Sequence, residues 1–440
     1  MIKITGAVKK TIEAEELSNY IGKTITIHGS IYKIRMMSGF AFVIIRTKRS
    51  LEQCIYSNEY TEYDIANLKE HMCVNLVGEV VSDERSKKGY EIRIKTVDIL
   101  SHAEEETPVV INNKEVAASL ETILDYRPIT LRNEKERAIF KIQEGICIAV
   151  REFLHKNLFT EIHSPKIVYA GAEGGSNIFK LDYFGTEAYL AQSPQVYKQM
   201  MVGVYERVFE IGAVYRAEKH DTSRHLNEYT GIDFEMGYIE SFTEIMEMET
   251  KMLQAIMEYL NKNYQSEITL LKVNLPVVDE IPAIRFTEAK ELVSKTYNRE
   301  IKDMGDFEPE EERLLCNIIK KKTGSDFVFV THYPSEKRPF YAMEEPGNPE
   351  FTESFDLLFR GIEVTTGGQR VHNYKEQVAK MLKRNMNPEQ FESYLMIHKY
   401  GMPPHGGLGI GLERFTMCLL ERSNVRETTL FPRDMHRLVP

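Results

Sequence analysis

Between Tyr215 and Met236 the chain reads YRAEKHDTSRHLNEYTGIDFEM, a crowd of acids, bases and histidines between two apolar segments. VFEIGAVYRAE alternates as a strand does, which puts Arg216 and Glu218 on one face. YTGIDFEMGYI alternates likewise, so Tyr229, Gly231, Asp233 and Glu235 share a face. A strand–loop–strand hairpin is expected to bring Arg216 and Glu218 alongside Asp233 and Glu235. Charges on a covered face need either one another, as in a salt-bridge ladder, or a charged ligand.

Four more segments carry chemistry-bearing residues. FDLLFRGIEVTTGGQR spaces Asp356, Glu363, Thr366, a glycine pair and Arg370. Two carboxylates and a hydroxyl can hold Mg²⁺ bridged to phosphates, because Mg²⁺ takes oxygen ligands and keeps waters. PPHGGLGIGLERF has neither GxGxxG nor GK[ST], which excludes a dinucleotide fingerprint and a P-loop. Its glycines would let a flat ligand lie on a sheet, with Arg414 over a phosphate; close helix–sheet packing would use them equally well. AGAEGGSNIF offers a small, flexible loop that could close over a substrate. In YLAQSPQVYKQM, Gln195 and Lys198 stand three apart in a first helical turn and can face one site. Near the N-terminus, Phe42 for stacking, Gln53 for a base edge and Arg35 for phosphate, with Tyr32 just before, are the parts of a single-strand reader.

The elements that must position these residues fall into two textures. TITIHGSIYKIR, FAFVIIRT, EQCIY, VNLVGEVVS and YEIRIKTVDIL read as five strands, with TEYDIANLKEH as an interposed helix. Residues 1–103 are therefore expected to form a small barrel, with the oligonucleotide-binding (OB) fold as the leading candidate. The polar stretch 104–133 reads as a hinge. From 134 to 440 long helices alternate with strands, an α+β pattern with a mixed insertion at about 276–330. The whole chain carries a net charge of -10, so it is no generic polyanion binder. The first hundred residues hold 15 Lys+Arg against 13 Asp+Glu, a local +2, so the N-terminal part approaches a polyanion more easily. Five scattered cysteines without metal spacing fit free thiols in a reducing compartment. With no span-length apolar run and no signal-peptide core, a cytoplasmic protein is expected.

Taken in order, these segments resemble the class II aminoacyl-tRNA synthetases. FTEIHSPKI resembles motif 1 (about 144–168), the opening stretch motif 2 (about 208–239) and GLGIGLERF motif 3 (about 405–422). AEGGSNIF, YLAQSPQVYKQM, RHLNEYTGIDFEM, GGQR and YGMPPHGGLGIGLER are similar to aspartyl-tRNA synthetases of the archaeal and eukaryotic type, over nearly the whole chain.

The resemblance implies an N-terminal OB-fold anticodon-binding domain and a catalytic domain built on an antiparallel sheet flanked by helices. It implies ATP and Mg²⁺ as cofactors and L-aspartate and tRNA(Asp) as substrates, leaving tRNA(Asn) open, and a homodimer through motif 1. By the same resemblance Arg216 would bind the α-phosphate, Glu218 the adenylate site or tRNA end, His225 the phosphates and Tyr229 the adenine. Arg414 would clamp the γ-phosphate or cover the adenine's other face. Glu363 and Thr366 would ligate Mg²⁺ with Asp356 helping. Lys198 and Arg370 would pair with the aspartate side chain. Gln195 and Asp233 would hold the amino end, with Glu173 on the loop and Thr366 close by. Arg35, Phe42 and Gln53 would read the anticodon. The family usually has Phe where this chain has Tyr229 and Ser where it has Thr366. Two cations around the side chain favour aspartate over asparagine, since a neutral amide would leave them unpaired. The rival readings are an asparaginyl enzyme, an adenylate-forming amide ligase and a non-catalytic tRNA-binding protein.

Overall fold

The computed structural model describes residues 14–48, 50–169, 177–219, 222–301, 303 and 305–440. Glu173 and its loop, with His220 and Asp221, lie outside the described residues. The chain divides into two compact units between Ala117 and Ala118.

The first unit is a closed barrel of β1 (Thr24–Met36), β2 (Ala41–Arg46), β3 (Leu51–Tyr56), β4 (Cys73–Ser82) and β5 (Tyr90–Ser101), in the order β1-β2-β3-β5-β4. Only β3 and β5 pair in parallel. Strict alternation in AFVIIR sends Ala41, Val43 and Ile45 inward, each fully buried, which is why the hydrophobic pattern forces closure. The helix expected in TEYDIANLKEH is a single 3₁₀ turn, Ile65–Asn67. Local hydrogen bonds win over helix propensity there: Thr61 Oγ1 donates to Lys95 O at 2.6 Å and accepts from Tyr63 N at 3.0 Å, and Tyr56 OH donates to Tyr63 O. Tyr32, at a register shift in β1, is buried and donates to Ile111 O at 2.7 Å. It therefore stands apart from the outward-facing Arg35 and Phe42.

The stretch 104–133, expected as a hinge, is taken up by both units. Residues up to 117 belong with the barrel, whereas 118–133 hold two short helices, Leu120–Asp125 and Arg127–Thr130. Arg127 is fully buried and donates to the carbonyls of Glu427, Thr429 and Leu430. A guanidinium holding three carbonyls anchors this segment to the C-terminal end rather than freeing it.

The second unit is built on eight strands: β6 (Thr160–Glu161), β7 (Arg207–Tyr215), β8 (Glu228–Gly237), β9 (Ala283–Arg285), β10 (Phe327–Thr331), β11 (Ser354–Phe359), β12 (Ile362–Arg370) and β13 (His405–Gly411). Their order is β9-β10-β11-β12-β13-β8-β7-β6, antiparallel except at the two edges. One face packs on α1 (Glu134–Lys156) and α3 (Thr243–Asn263) through Ile142, Ile146, Leu253, Ile256, Phe234, Leu408 and Phe355. Asn133 caps α1, accepting from Lys135 N and Glu136 N, and the acids Glu134 and Glu136 sit in its first turn where the helix dipole favours them. Over the other face lie α2 (Gln195–Tyr205) at one end and α4 (Pro309–Thr323) at the other. The stretch read as an insertion thus supplies the last two strands of the sheet and a covering helix. Between α2 and α4 the sheet is left open.

Candidate active site

The alternation of β13 explains its glycines. Leu408 and Ile410 point into the core, while His405, Gly407, Gly409 and Gly411 point to the open face. A Cβ on Gly407 would meet Phe234 O at 2.1 Å and Glu235 Oε2 at 2.3 Å; one on Gly409 would stand 3.0 Å from Asp233 Oδ1. The strand needs glycine to make room for carboxylates on its neighbour. Cross-strand pairing sets Glu210 opposite Asp233, Asp233 opposite Gly409, Gly409 opposite Thr366 and Thr366 opposite Asp356. Directly paired residues point the same way, so three carboxylates and a hydroxyl form one row across the open face.

The hairpin does not set Arg216 and Glu218 against Asp233 and Glu235. Its register pairs Glu210 with Asp233 and Val208 with Glu235, and Arg216 N donates to Asn227 O. Asn227 Nδ2 also holds the carbonyls of Arg216 and Glu218, at 2.7 and 3.0 Å. An antiparallel ladder moves partners apart by one step each per residue, which carries Arg216 and Glu218 to the loop end of the cavity.

At the opposite end four charged groups interlock. Lys198 Nζ donates to Asp233 Oδ1 at 2.9 Å and to Leu408 O at 2.7 Å, and lies 3.4 Å from Glu235 Oε2. Arg370 Nε donates to Glu235 Oε1 at 2.9 Å and its Nη2 to Gly407 O, with the guanidinium over Tyr341. All four are at most 6% exposed. Burial raises the Asp233 carboxyl against the pull of Lys198. Burial also pushes on Glu235, but Arg370, Lys198 and His405 together hold it below its usual value. Gln195 Nε2 is buried here without a hydrogen-bond acceptor.

The loop end collects Arg216, Glu218, His225, Tyr229, Glu363 and Arg414. Arg414 Nη1 donates to Glu363 O at 3.0 Å and Nη2 to Arg224 O at 3.3 Å. His225 Nδ1 lies 2.6 Å from Thr222 Oγ1, and its Nε2 3.8 Å from Glu218 Oε2. Both carboxylate oxygens of Glu413 accept from Thr230 N, fixing the backbone beside Tyr229; burial pushes that carboxyl up to about 7. The two ends share a cavity of about 550 Å³. It offers cations and a ring at one end and a compact charged cage at the other. That suits a nucleotide joined to a small zwitterion.

The description "tRNA synthetases class II (D, K and N)" matches residues 119–435. The aspartate–tRNA(Asp/Asn) ligase of Deinococcus radiodurans is 45% identical over 99% of this chain and 100% of its own. The chain belongs to the class II tRNA synthetases, among the aspartate–tRNA ligases. The aspartate–tRNA(Asp) ligase of Pyrococcus abyssi is 39% identical over 97% of this chain and 98% of its own. The asparaginyl-tRNA synthetase of Pyrococcus horikoshii, solved with asparaginyl-adenylate, matches with a TM-score of 0.91 at 28% identity, covering 98% of this chain and 100% of that one. Class II synthetases use ATP.

In this class II synthetase the sequence-predicted residues beyond the barrel divide three ways. Gln195, Arg216, Glu218, His225, Tyr229, Asp233, Glu363, Thr366, Arg370 and Arg414 line the cavity; Lys198 and Asp356 lie buried beneath it; Glu173 is outside the described residues. Thr366 Oγ1 donates to Glu363 Oε1 at 3.0 Å. Asp356 Oδ2 pairs with Arg338 Nη2 at 2.8 Å, and its Oδ1 is buried without a hydrogen-bond partner. Burial raises the Asp356 carboxyl, with Arg338 opposing. Oxygen donors of this kind suit a hard cation that keeps most of its waters, and among the described residues no group of three or more His, Cys, Asp or Glu gathers to hold a metal ion. On the first unit Arg35 pairs directly with Phe42, and Gln53 with Ile44, all on the outer surface of the barrel. Phe42 is half-buried, edge-on to Phe40 at 5.2 Å, and lies outside the barrel core.

The sequence reading gave no role to Glu235, Glu312 or Arg338, and took Arg224 only as part of the basic loop KHDTSR expected to meet the tRNA acceptor stem. Glu235 was detectable in the same alternation as Asp233. The other three reach the cavity only through long-range packing.

Proposed function

We propose that this chain joins ATP and L-aspartate into aspartyl-adenylate and transfers the aspartyl group to tRNA(Asp) and tRNA(Asn). The observation that carries the reading is the Lys198–Glu235–Arg370 bridge beside Asp233. If Asp233 takes the substrate ammonium, two cations and one carboxylate remain, a net single positive charge. The aspartate β-carboxylate neutralises it; asparagine would leave it buried and unpaired. Gln195, expected at the amino end, presents an Nε2 donor without an acceptor, which suits the substrate's carboxylate end instead.

No protein base is required for the first step, because the attacking α-carboxylate is already ionised. Arg216 neutralises the α-phosphate during attack, and Arg414 and His225 hold the departing pyrophosphate. Tyr229 supplies a ring beneath the adenine. Glu363 and Thr366, with Asp356 behind them, would hold Mg²⁺. When bound, Mg²⁺ supplies positive charge to the phosphate oxygens. The terminal ribose hydroxyl of tRNA then attacks the adenylate carbonyl, the acyl–phosphate bond breaks, and AMP leaves with the hydroxyl proton going to its phosphate or to water. The loop around Lys219–Arg224 would meet the tRNA acceptor end. The outer face carrying Arg35, Phe42 and Gln53 would take the anticodon, by stacking and base-edge hydrogen bonds. A homodimer is proposed through the motif 1 region, where Leu158 and Tyr169 are exposed apolar side chains; a monomeric mass by light scattering at micromolar concentration would count against it.

The test is aminoacylation of tRNA(Asp) and tRNA(Asn) transcripts with aspartate, run beside pyrophosphate exchange with aspartate and asparagine. Activation of asparagine alone would sink the reading. Charging of tRNA(Asp) but not tRNA(Asn) would remove its second half.

A further inference from the structure

We propose that Glu312 is a positioning residue for the nucleoside triphosphate, acting from α4 through Arg224 on the Arg414 clamp. The inference rests on the placement of ATP at the loop end of the cavity.

Three observations converge. First, α4 is a fixed post. Leu315, Cys316 and Ile319 are buried against Val328, Val330 and Leu358. At Gly361, with φ +88°, a Cβ would stand 3.1 Å from Arg313 Cα, so the helix lies close against the β11–β12 turn. Second, Glu312 is only 7% exposed, lines the cavity and accepts from Arg224 Nη2 at 2.7 Å. Third, the Arg224 carbonyl accepts from Arg414 Nη2, while Arg414 Nη1 holds Glu363 O. The Arg224–Glu312 ion pair thus ties the loop segment carrying Arg224 and His225 to α4, while Val425 N donating to Ser223 O at 2.9 Å and Arg224 Nη2 donating to Gly361 O at 3.5 Å hold it elsewhere. That segment in turn sets where Arg414 stands.

The sign of the charge makes the role decidable. Glu312 faces Glu363 and Asp356 as well as Arg224 and Arg414, and burial pushes its carboxyl up to about 7. A carboxylate in a cavity meant for a polyanion opposes binding, so by charge alone its removal should tighten ATP. A positioning role predicts the reverse, because an Arg224 side chain released from Glu312 must be ordered by the ligand instead.

The experiment measures ATP·Mg²⁺ and aspartate affinities of the full chain by calorimetry for wild type, Glu312→Gln, Glu312→Ala, Arg224→Ala and the Glu312→Ala/Arg224→Ala double variant. The isosteric Glu312→Gln guards against loss of folding. The expected result is a roughly tenfold weaker ATP Kd in Glu312→Ala, a smaller weakening in Glu312→Gln and an unchanged aspartate Kd. The double variant should be no worse than the weaker single, since both cut one connection. An ATP Kd that is unchanged or tighter in Glu312→Ala, or fully additive losses, would overturn the proposal. Aspartate-dependent pyrophosphate exchange by the unaltered protein reads the proposed reaction separately. Its absence would strike that reading while calorimetry still judges Glu312.

Discussion

Arg370 Nε donates to Glu235 Oε1 at 2.9 Å, and neither residue is more than 6% exposed. A pair so closed off is held by reciprocal need: each ion pays its desolvation through the other, and Lys198 shares the carboxylate. Arg370→Ala would leave Glu235 half-compensated and take away one of the two cations proposed to pair with the aspartate side chain. Truncating one partner of such a pair costs about 2–5 kcal/mol. The expected outcome is a drop of about 100-fold or more in kcat/KM for aspartate in pyrophosphate exchange, with ATP affinity retained. Near-normal exchange would refute the assignment of this cage to the amino acid.

Gly407 lies over the same carboxylate. An added Cβ would meet both Phe234 O and Glu235 Oε2 well inside contact distance, and a backbone carbonyl in mid-sheet cannot step aside. Gly407→Ala should therefore part β13 from β8, destabilise the fold by about 1–3 kcal/mol and abolish aspartate activation. Urea unfolding and exchange assays check both effects. The control is Gly347→Ala, where open space surrounds the site and only its φ of +80° is strained. It should cost stability without touching exchange.

The site was legible in the sequence wherever one strand's own alternation decides which side chains share a face. Tyr229, Gly231, Asp233 and Glu235 could be grouped that way, as could the glycines of HGGLGIG. Which strands stand side by side is another matter. The row Asp233–Gly409–Thr366–Asp356 joins four strands separated by up to 176 residues (233 to 409), and no local pattern encodes that pairing. The hairpin expectation failed for a related reason, since alternation gives the face but the loop length fixes the register. Arg224 and Glu312 belong to a loop and a helix whose meeting depends on both being packed. TEYDIANLKEH misled because Thr61 and Tyr63 offer side-chain and backbone partners that outbid a helix.

Glu249, on α3 behind the sheet, gives a pH-dependent prediction. It is fully buried and accepts from Thr365 Oγ1 at 2.6 Å, while its Oε2 has no hydrogen-bond partner. Burial pushes its carboxyl up to about 8, with Thr365 opposing and Asp356 adding. Below the free value of 4.5 the folded and unfolded states both hold the proton. Between that value and about 8 only the folded state holds it, so this group's contribution to stability falls as pH rises through the window. The slope is at most about 1.4 kcal/mol per pH unit. Glu249→Gln lacks the titration. Its melting temperature relative to wild type should climb from pH 5 to pH 8 and then level off, and a flat difference across that range would contradict the assignment.

Phe42 offers a test of the anticodon role proposed for the barrel, apart from the adenylate chemistry. Its ring is outward on the barrel, beside Phe40 and opposite Arg35, so its loss removes no core packing. A base stacked on an aromatic ring contributes about 1–3 kcal/mol. Phe42→Ala should therefore lower kcat/KM for tRNA(Asp) by roughly tenfold to a hundredfold. Aspartate-dependent pyrophosphate exchange, which needs no tRNA, should stay at the wild-type level, as should the melting temperature. A fall in exchange would mean that the ring acts on the fold. Unchanged charging would overturn the anticodon role proposed for Phe42.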